Sequence, residues 1–88
     1  MATEYYFGGG IGVVSRALAR RLDKLARENG ADGFDQEKDT HTFFGPNRGE
    51  PENSEMAKRV LAACESAGIT FPLPRIDRAA RARRRMGR

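Results

Sequence analysis

The C-terminal segment of the chain, residues 72–88 (the tail), concentrates positive charge. From residue 75 onward it has seven arginines against one acid, Asp77, which gives a local net charge of +6. Guanidinium groups stay charged and bind phosphate oxygens, so such a segment attracts nucleic acid through counterion release. The tail has no aromatic side chain, which argues against base stacking there. Its predicted nucleic-acid-binding residues are Arg75, Arg78, Arg81, Arg83, Arg84, Arg85 and Arg88.

A second group of cations has the spacing of one helix face. These residues are Arg16, Arg20, Lys24 and Arg27. They lie opposite an apolar stripe at helical spacing, formed by Ile11, Val14, Leu18, Leu22 and Leu25. Four cations on one face suit a phosphate backbone, which takes basic side chains with little geometric demand. The alternative is an ordinary solvated face with acidic neighbours in Asp23 and Glu28.

A glycine-rich segment precedes this helix and is a candidate anion site. Its candidate residues are Gly8, Gly9, Gly10, Gly12 and Ser15. Glycines between a strand and a helix let backbone N–H groups approach a phosphate. Ser15 stands where the dinucleotide fingerprint has its third glycine, and the P-loop Gly-Lys-Ser/Thr is missing. Residues 7–20 are similar to the glycine turns of short-chain dehydrogenases and of the cytokinin-activating phosphoribohydrolase family, which implies a shared turn and not membership. A ligand-free strand-to-helix turn is the alternative.

The residues suited to catalysis are few. His41 is the sole histidine and Cys64 the sole cysteine, and their spacing gives no reason to pair them. Cys64 is expected on the buried side of a second helix, where a free cysteine behaves as a small hydrophobe. No metal-ligand spacing occurs in the sequence. We therefore expect a protein that is not an enzyme and has neither a metal nor a cofactor.

Composition limits the size of the core. Only 16 of the 88 residues are Leu, Ile, Val or Phe, so the core must be thin, and stability could depend on a partner. No apolar run is long enough for a membrane span, and Glu4 stands where a signal peptide would be basic. A lone cysteine fits a reducing compartment, which predicts a cytoplasmic protein without a membrane partner.

The elements that position these residues follow from local patterns. A strand is expected over residues 3–7, a first helix from Ile11 to a stop at Asn29-Gly30, and a hairpin that pairs residues 33–36 with 40–44. A second helix should begin after a cap at Asn53 or Ser54, and residues 69–71 could add a last strand. The predicted fold is α+β in β-α-β-β-α-β order, with two amphipathic helices on one face of a small sheet. The compact domain covers residues 1–71, and the tail is flexible or helical.

The aromatic pairs Tyr5-Tyr6 and Phe43-Phe44 bear on partners. Neighbouring residues of a strand face opposite sides of the sheet, so one ring of each pair should be buried. The other ring could form a partner or dimer surface.

Taken together, the sequence predicts a non-enzymatic accessory protein that contacts the phosphates of DNA or RNA. One alternative is an interaction module or small inhibitor, as a homodimer or on an acidic protein surface, from a host or a phage. Another is a nucleotide or anion site where the glycine segment and the loop of residues 45–54 meet at the helix N-termini.

Overall fold

The computed structural model describes residues 4–74 and 76, which form a small α+β fold. The elements in chain order are β1 (Glu4–Ile11), α1 (Arg16–Glu28), β2 (Gly33–Gln36), β3 (Thr40–Pro46) and α2 (Glu52–Ser66). The sheet is antiparallel with strand order β1-β3-β2, which makes β3 the central strand. The predicted α+β class is confirmed, and so is the hairpin between residues 33–36 and 40–44.

The expected last strand over residues 69–71 is not formed. These residues are irregular, and Ile69 donates its backbone N–H back to the carbonyl oxygen of Cys64, at 2.9 Å. Two nearby prolines, Pro72 and Pro74, lack the N–H groups with which a strand would extend a ladder. Instead, Ile69 and Leu73 fill the core, and Leu73 is only 4% exposed. The core thus includes a residue beyond position 71, where the compact domain was expected to end. Residues 75 and 77–88 lie outside the described part of the chain.

The core forms where buried side chains of the sheet and both helices meet. In β3 the buried residues alternate, so that His41 and Phe43 lie inward while Thr42 lies on the opposite face. Phe43 is fully buried, with its ring centroid 5.3 Å from that of Phe7 and 5.0 Å from that of Phe34. The helical members of the same cluster are Leu22, Ala26, Met56, Val60 and Cys64.

Helix α1 begins at Arg16 and not at Ile11 as its apolar spacing predicted. The reason is that β1 continues through the glycines to Ile11, which pairs with Thr40. Ser15 then acts as the N-cap, because its Oγ accepts a hydrogen bond from the backbone N–H of Leu18 at 3.1 Å. The predicted stop is confirmed: the helix ends at Glu28, and Gly30 has a positive φ of 101°.

Helix α2 also begins at a residue that differs from the expected one. It starts at Glu52, with Pro51 in the N-cap position, so neither Asn53 nor Ser54 is the cap. Asn53 is buried inside the first turn, where its Oδ1 accepts from the backbone N–H of Arg48 at 3.0 Å. Its amide donates to Oδ1 of Asn47 at 2.8 Å. A residue type that favours caps is here used to fix the preceding loop.

Candidate functional site

The cations predicted on α1 are all exposed along its outer side. Arg16, Arg20, Lys24 and Arg27 are solvent-exposed, whereas Leu22 and Ala26 on the same helix are buried. Arg27 donates from Nε to Oδ2 of Asp23 at 2.8 Å, which neutralises part of its charge. The other three cations form no hydrogen bond or ion pair with the described residues. We call these four residues the basic face.

Asp23 is a structural residue that the sequence analysis missed. Its Oδ1 accepts a hydrogen bond from the backbone N–H of Phe34 at 2.9 Å, so the carboxylate joins α1 to the edge strand β2. A Cβ atom at Gly33 would overlap that same oxygen, which explains the glycine there. The basic face is therefore held in a fixed orientation on the sheet.

Ile76 is the tail residue that lies near the N-terminal end of α1. The backbone N–H of Ile76 donates to the carbonyl oxygen of Val13 at 2.7 Å, three residues before Arg16. The tail arginines named above, from Arg75 to Arg88, lie outside the described residues.

The glycine segment does not form the expected strand-to-helix loop. Gly8, Gly9 and Gly10 belong to β1, and Gly12 to Ser15 alone connect that strand to α1. The pairing of β1 with β3 shifts by one residue between Phe7 and Gly10, which is a β-bulge with Gly8 at a φ of 63°. Of the five candidate anion-site residues, only Gly12 and Ser15 therefore lie in the loop before α1, and Ser15 Oγ accepts from the Leu18 amide there.

The second expected meeting of loops is also not formed. Glu4 pairs with Pro46 at one end of β1, while Ile11 pairs with Thr40 at the other end. The loop before α2 therefore leaves the sheet at the end remote from residues 12–15. The hypothesis that the two loops share one anion site is wrong for this reason.

A cleft of about 590 Å³ lies along the glycine segment of β1. Its other sides are formed by Leu61 and Glu65 of α2 and by residues 71–73. Gly8 lets Leu61 and Phe43 come close, because a Cβ there would lie 3.1 Å from the Phe43 ring and 3.6 Å from Leu61 Cδ2. None of the described residues that line this cleft is a lysine or an arginine. The cleft is therefore mainly apolar, with one carboxylate at its side.

His41 is the buried polar residue of this cleft. It is 7% exposed, and its Nδ1 lies 2.9 Å from the carbonyl oxygen of Gly12. A carbonyl can only accept, so Nδ1 carries the hydrogen, and in the neutral ring Nε2 is an acceptor. Nε2 forms no hydrogen bond with the described residues, and a Cβ at Gly10 would lie 3.0 Å from it. The alternation with Thr40 and Thr42 was the sequence signal that His41 faces inward.

Cys64 is buried in the core, as expected from its place on the second helix. Burial raises the pKa of the Cys64 thiol, and the charge of Arg21 opposes this shift only in part. A higher pKa lowers the fraction of thiolate at neutral pH, and the thiolate is the nucleophile. No hydrogen bond joins Cys64 to His41 in the described part of the chain. Within residues 4–74 and 76, no group of His, Cys, Asp and Glu side chains could hold a metal ion.

The two aromatic pairs separate across the sheet. Tyr5 is half-buried and stacks on Phe7 with ring centroids 5.7 Å apart. Tyr6 is 58% exposed on the opposite face, where its ring centroid lies 6.5 Å from that of Phe44. Tyr6 donates its hydroxyl hydrogen to Oε1 of Glu4, and this hydrogen bond raises the pKa of the tyrosine.

The comparisons with known proteins give no family. No protein-family model matches the chain, and neither a curated protein nor a solved structure matches it significantly. No helix within residues 4–74 and 76 has the length and apolar character needed to cross a membrane.

Proposed function

We propose that this protein binds nucleic acid without catalysis, through phosphate contacts made by the basic face and the tail. The observation that carries the proposal is the hydrogen bond between Ile76 and Val13. Ile76 therefore lies close to Val13, three residues before Arg16, and most of the arginine-rich sequence follows Ile76 along the chain. Clustered cations of this kind increase the affinity for a phosphate backbone, because each neutralised phosphate releases counterions.

The form of the basic face supports a general binder over a sequence-specific one. Side chains four residues apart on a helix lie about 6 Å from each other, so the basic face presents closely spaced positive charges to a phosphate backbone. Contacts to phosphate oxygens fix position but carry no sequence information. The sequence also has no helix-turn-helix, zinc-finger or RNA-recognition signature that would present side chains to base edges, which favours a general binder.

The test is fluorescence anisotropy with a labelled random duplex and a labelled random single strand, over about 50–200 mM salt. The full chain is compared with a triple variant, Arg16→Ala/Arg20→Ala/Lys24→Ala. The matched control, Lys38→Ala/Arg48→Ala/Lys58→Ala, removes the same charge from three exposed cations elsewhere. We expect the first triple to lower the slope of log K against log salt by about 2–3, and the control to leave it nearly unchanged.

A third variant tests the tail within the full chain. Replacing Arg81, Arg83, Arg84 and Arg85 by glutamine keeps Ile76 and its hydrogen bond to Val13. We expect a further loss of slope by about 3–4. The proposal fails if the full chain does not bind at about 50 mM salt, or if both triple variants weaken binding equally. In the second case net charge alone would account for the affinity.

A second candidate function is supported by the exposed face of the sheet. The exposed Tyr6 and the half-buried Phe44 lie together there, and aromatic side chains that remain accessible on a sheet face are typical of a contact surface. The expected partner is a second copy of this chain or another protein. Sedimentation of the wild type and of Tyr6→Ser over a range of concentrations tests it: a mass that rises only for the wild type supports the dimer.

A further inference from the structure

We propose that the cleft beside the glycine segment binds a planar nitrogen heterocycle that carries N–H donors, of the class of the amino-bearing nucleobases, for which adenine and cytosine serve as probes. This goes beyond the proposed function, because the basic face and the tail act on phosphates, whereas the cleft recognises the base. The base could arrive as a free nucleoside or as an unstacked base of a single strand. Both sources present the same chemistry to the cleft.

The size and walls of the cleft fit a small flat ligand. Its volume of about 590 Å³ lies within the range of small-molecule sites. Leu61, Pro72 and Leu73 give it apolar sides, and Phe71, which is 38% exposed, adds an aromatic ring. Every base has a π-face that stacks on such a ring with little dependence on its identity.

The polar groups of the cleft require donors from the ligand. The Nδ1 hydrogen of His41 is already used by Gly12, so Nε2 of the neutral ring offers only a lone pair. An ionised Glu65 likewise accepts and does not donate. An exocyclic amine has two N–H donors and suits acceptors of this kind. A base with carbonyl oxygens in that position would meet lone pairs instead.

The glycine segment supplies the complementary part of the site through its backbone. β1 lies at the edge of the described sheet, so alternate N–H and C=O groups of its glycine segment, Gly8 to Gly10, point away from β3. The bulge at Gly8 takes further backbone groups out of the regular ladder. Because Gly8, Gly9 and Gly10 have no side chains, a flat ring can approach these groups closely. Ring nitrogens of a base are suitable acceptors for the N–H groups.

The described residues of the cleft favour an uncharged ring over phosphate. Among the described residues that line it there is no lysine or arginine, and Glu65 places a negative charge at its side. An anion bound there would be desolvated without a compensating charge, which is costly. The cleft and the basic face therefore select different parts of a nucleotide.

The experiment is an NMR titration of the nitrogen-15-labelled full chain with adenosine, cytidine, uridine and inorganic phosphate, each to about 1 mM. We expect adenosine and cytidine to shift the amide signals of residues 8–10, Leu61 and Leu73. Uridine should bind about tenfold or more weakly, because carbonyl oxygens replace the amine. Phosphate should leave these signals in place.

Variants separate recognition from folding. His41→Asn keeps an amide donor for the Gly12 carbonyl and removes Nε2, and we expect it to weaken adenosine binding about tenfold or more. Thr40→Asn is the matched control, because it places the same side chain on the same strand but on the exposed side. Gly10→Ala puts a methyl group 3.0 Å from Nε2 and should weaken binding by filling the site. Spectra of the free variants report whether each one folds.

The outcomes distinguish the two sources and the two proposals. If adenosine shifts these signals and an oligoadenylate does not, the ligand is a free nucleoside. If the oligoadenylate binds more strongly than adenosine, and His41→Asn weakens that binding, the ligand is a base within a strand. Nucleoside binding without oligonucleotide binding would support the cleft and overturn the phosphate proposal. The cleft proposal is overturned if no nucleoside shifts these signals, if phosphate shifts them as strongly, or if His41→Asn binds adenosine as the wild type does.

Discussion

The basic face and the cleft differ in almost every physical property. The basic face is convex, charged and exposed. Three of its cations have no ion pair with the described residues, and the range of their electrostatic attraction is set by the ionic strength. The cleft is concave and mainly apolar, and its histidine acts only at hydrogen-bond distance. The difference indicates a division between attraction, which needs no fixed shape, and recognition, which does.

A short connector joins the two regions. Residues 12–14 run between β1 and α1, and each accepts at its carbonyl oxygen from a different part of the chain: His41 at Gly12, Ile76 at Val13 and the Gln36 amide at Val14. A change in the connector would therefore reach the cleft, the start of the tail and the first turn of α1 together. Substitutions on either side of it can show how far the regions are independent.

The largest expected effect is a loss of folding stability, which would disrupt the basic face and the cleft together. Phe43 is fully buried between Phe7 and Phe34, lies against Gly8, and belongs to the core cluster that includes residues of both helices. We expect Phe43→Ala to cost about 3–5 kcal/mol, which is a large part of the stability of a small domain. Urea denaturation followed by circular dichroism measures it. A loss below about 1 kcal/mol would mean that the thin core is not held by this aromatic cluster.

The next effect acts through the connector. The side chain of Gln36 binds both backbone groups of Val14, accepting from N–H at 2.8 Å and donating to C=O at 3.1 Å. Gln36→Leu would leave a buried N–H without an acceptor, and we expect a cost of about 1–3 kcal/mol. Gln36→Glu keeps the acceptor and should cost less. NMR spectra of Gln36→Leu should show shifted signals in both His41 and Leu18; a change in one region alone would show that the connector does not couple them.

A smaller effect is confined to the basic face. Ser15 caps α1 by accepting from Leu18, so Ser15→Ala should destabilise the first turn by about 1 kcal/mol. Ser15→Asp keeps a capping oxygen and is the matched control. Hydrogen exchange should speed up at residues 18–20 in the alanine variant while the His41 signals stay unchanged. Equal exchange in the two variants would show that the cap does not hold this turn.

The sequence predicted the helices, the hairpin and the positions of the α1 cations, because these depend on spacing within one element. Ile11 shows where such reasoning fails: its spacing fits the helix, but pairing with Thr40 keeps it in β1. A run of glycines predicts a turn, and the long-range pairing of β1 with β3 is what retains these three in a strand. The sequence indicates no role for His41, because its surroundings come from Gly12, Gly10 and α2, which are distant in the sequence.

The smallest expected effect is a difference in nucleic-acid binding between two single substitutions within the basic face. Arg27 is tied to Asp23 by an exposed ion pair, whereas Arg20, two turns earlier, has no partner among the described residues. Such a pair contributes about 0.3–0.5 kcal/mol, so Arg27→Ala should change stability little. It should also weaken nucleic-acid binding less than Arg20→Ala, because part of its charge is already neutralised by a neighbour. Anisotropy at low salt compares the two single variants, with Asp23→Asn as the background that frees Arg27. If Arg27→Ala still weakens binding less than Arg20→Ala in that background, the position of each residue along α1, and not the ion pair, sets the order.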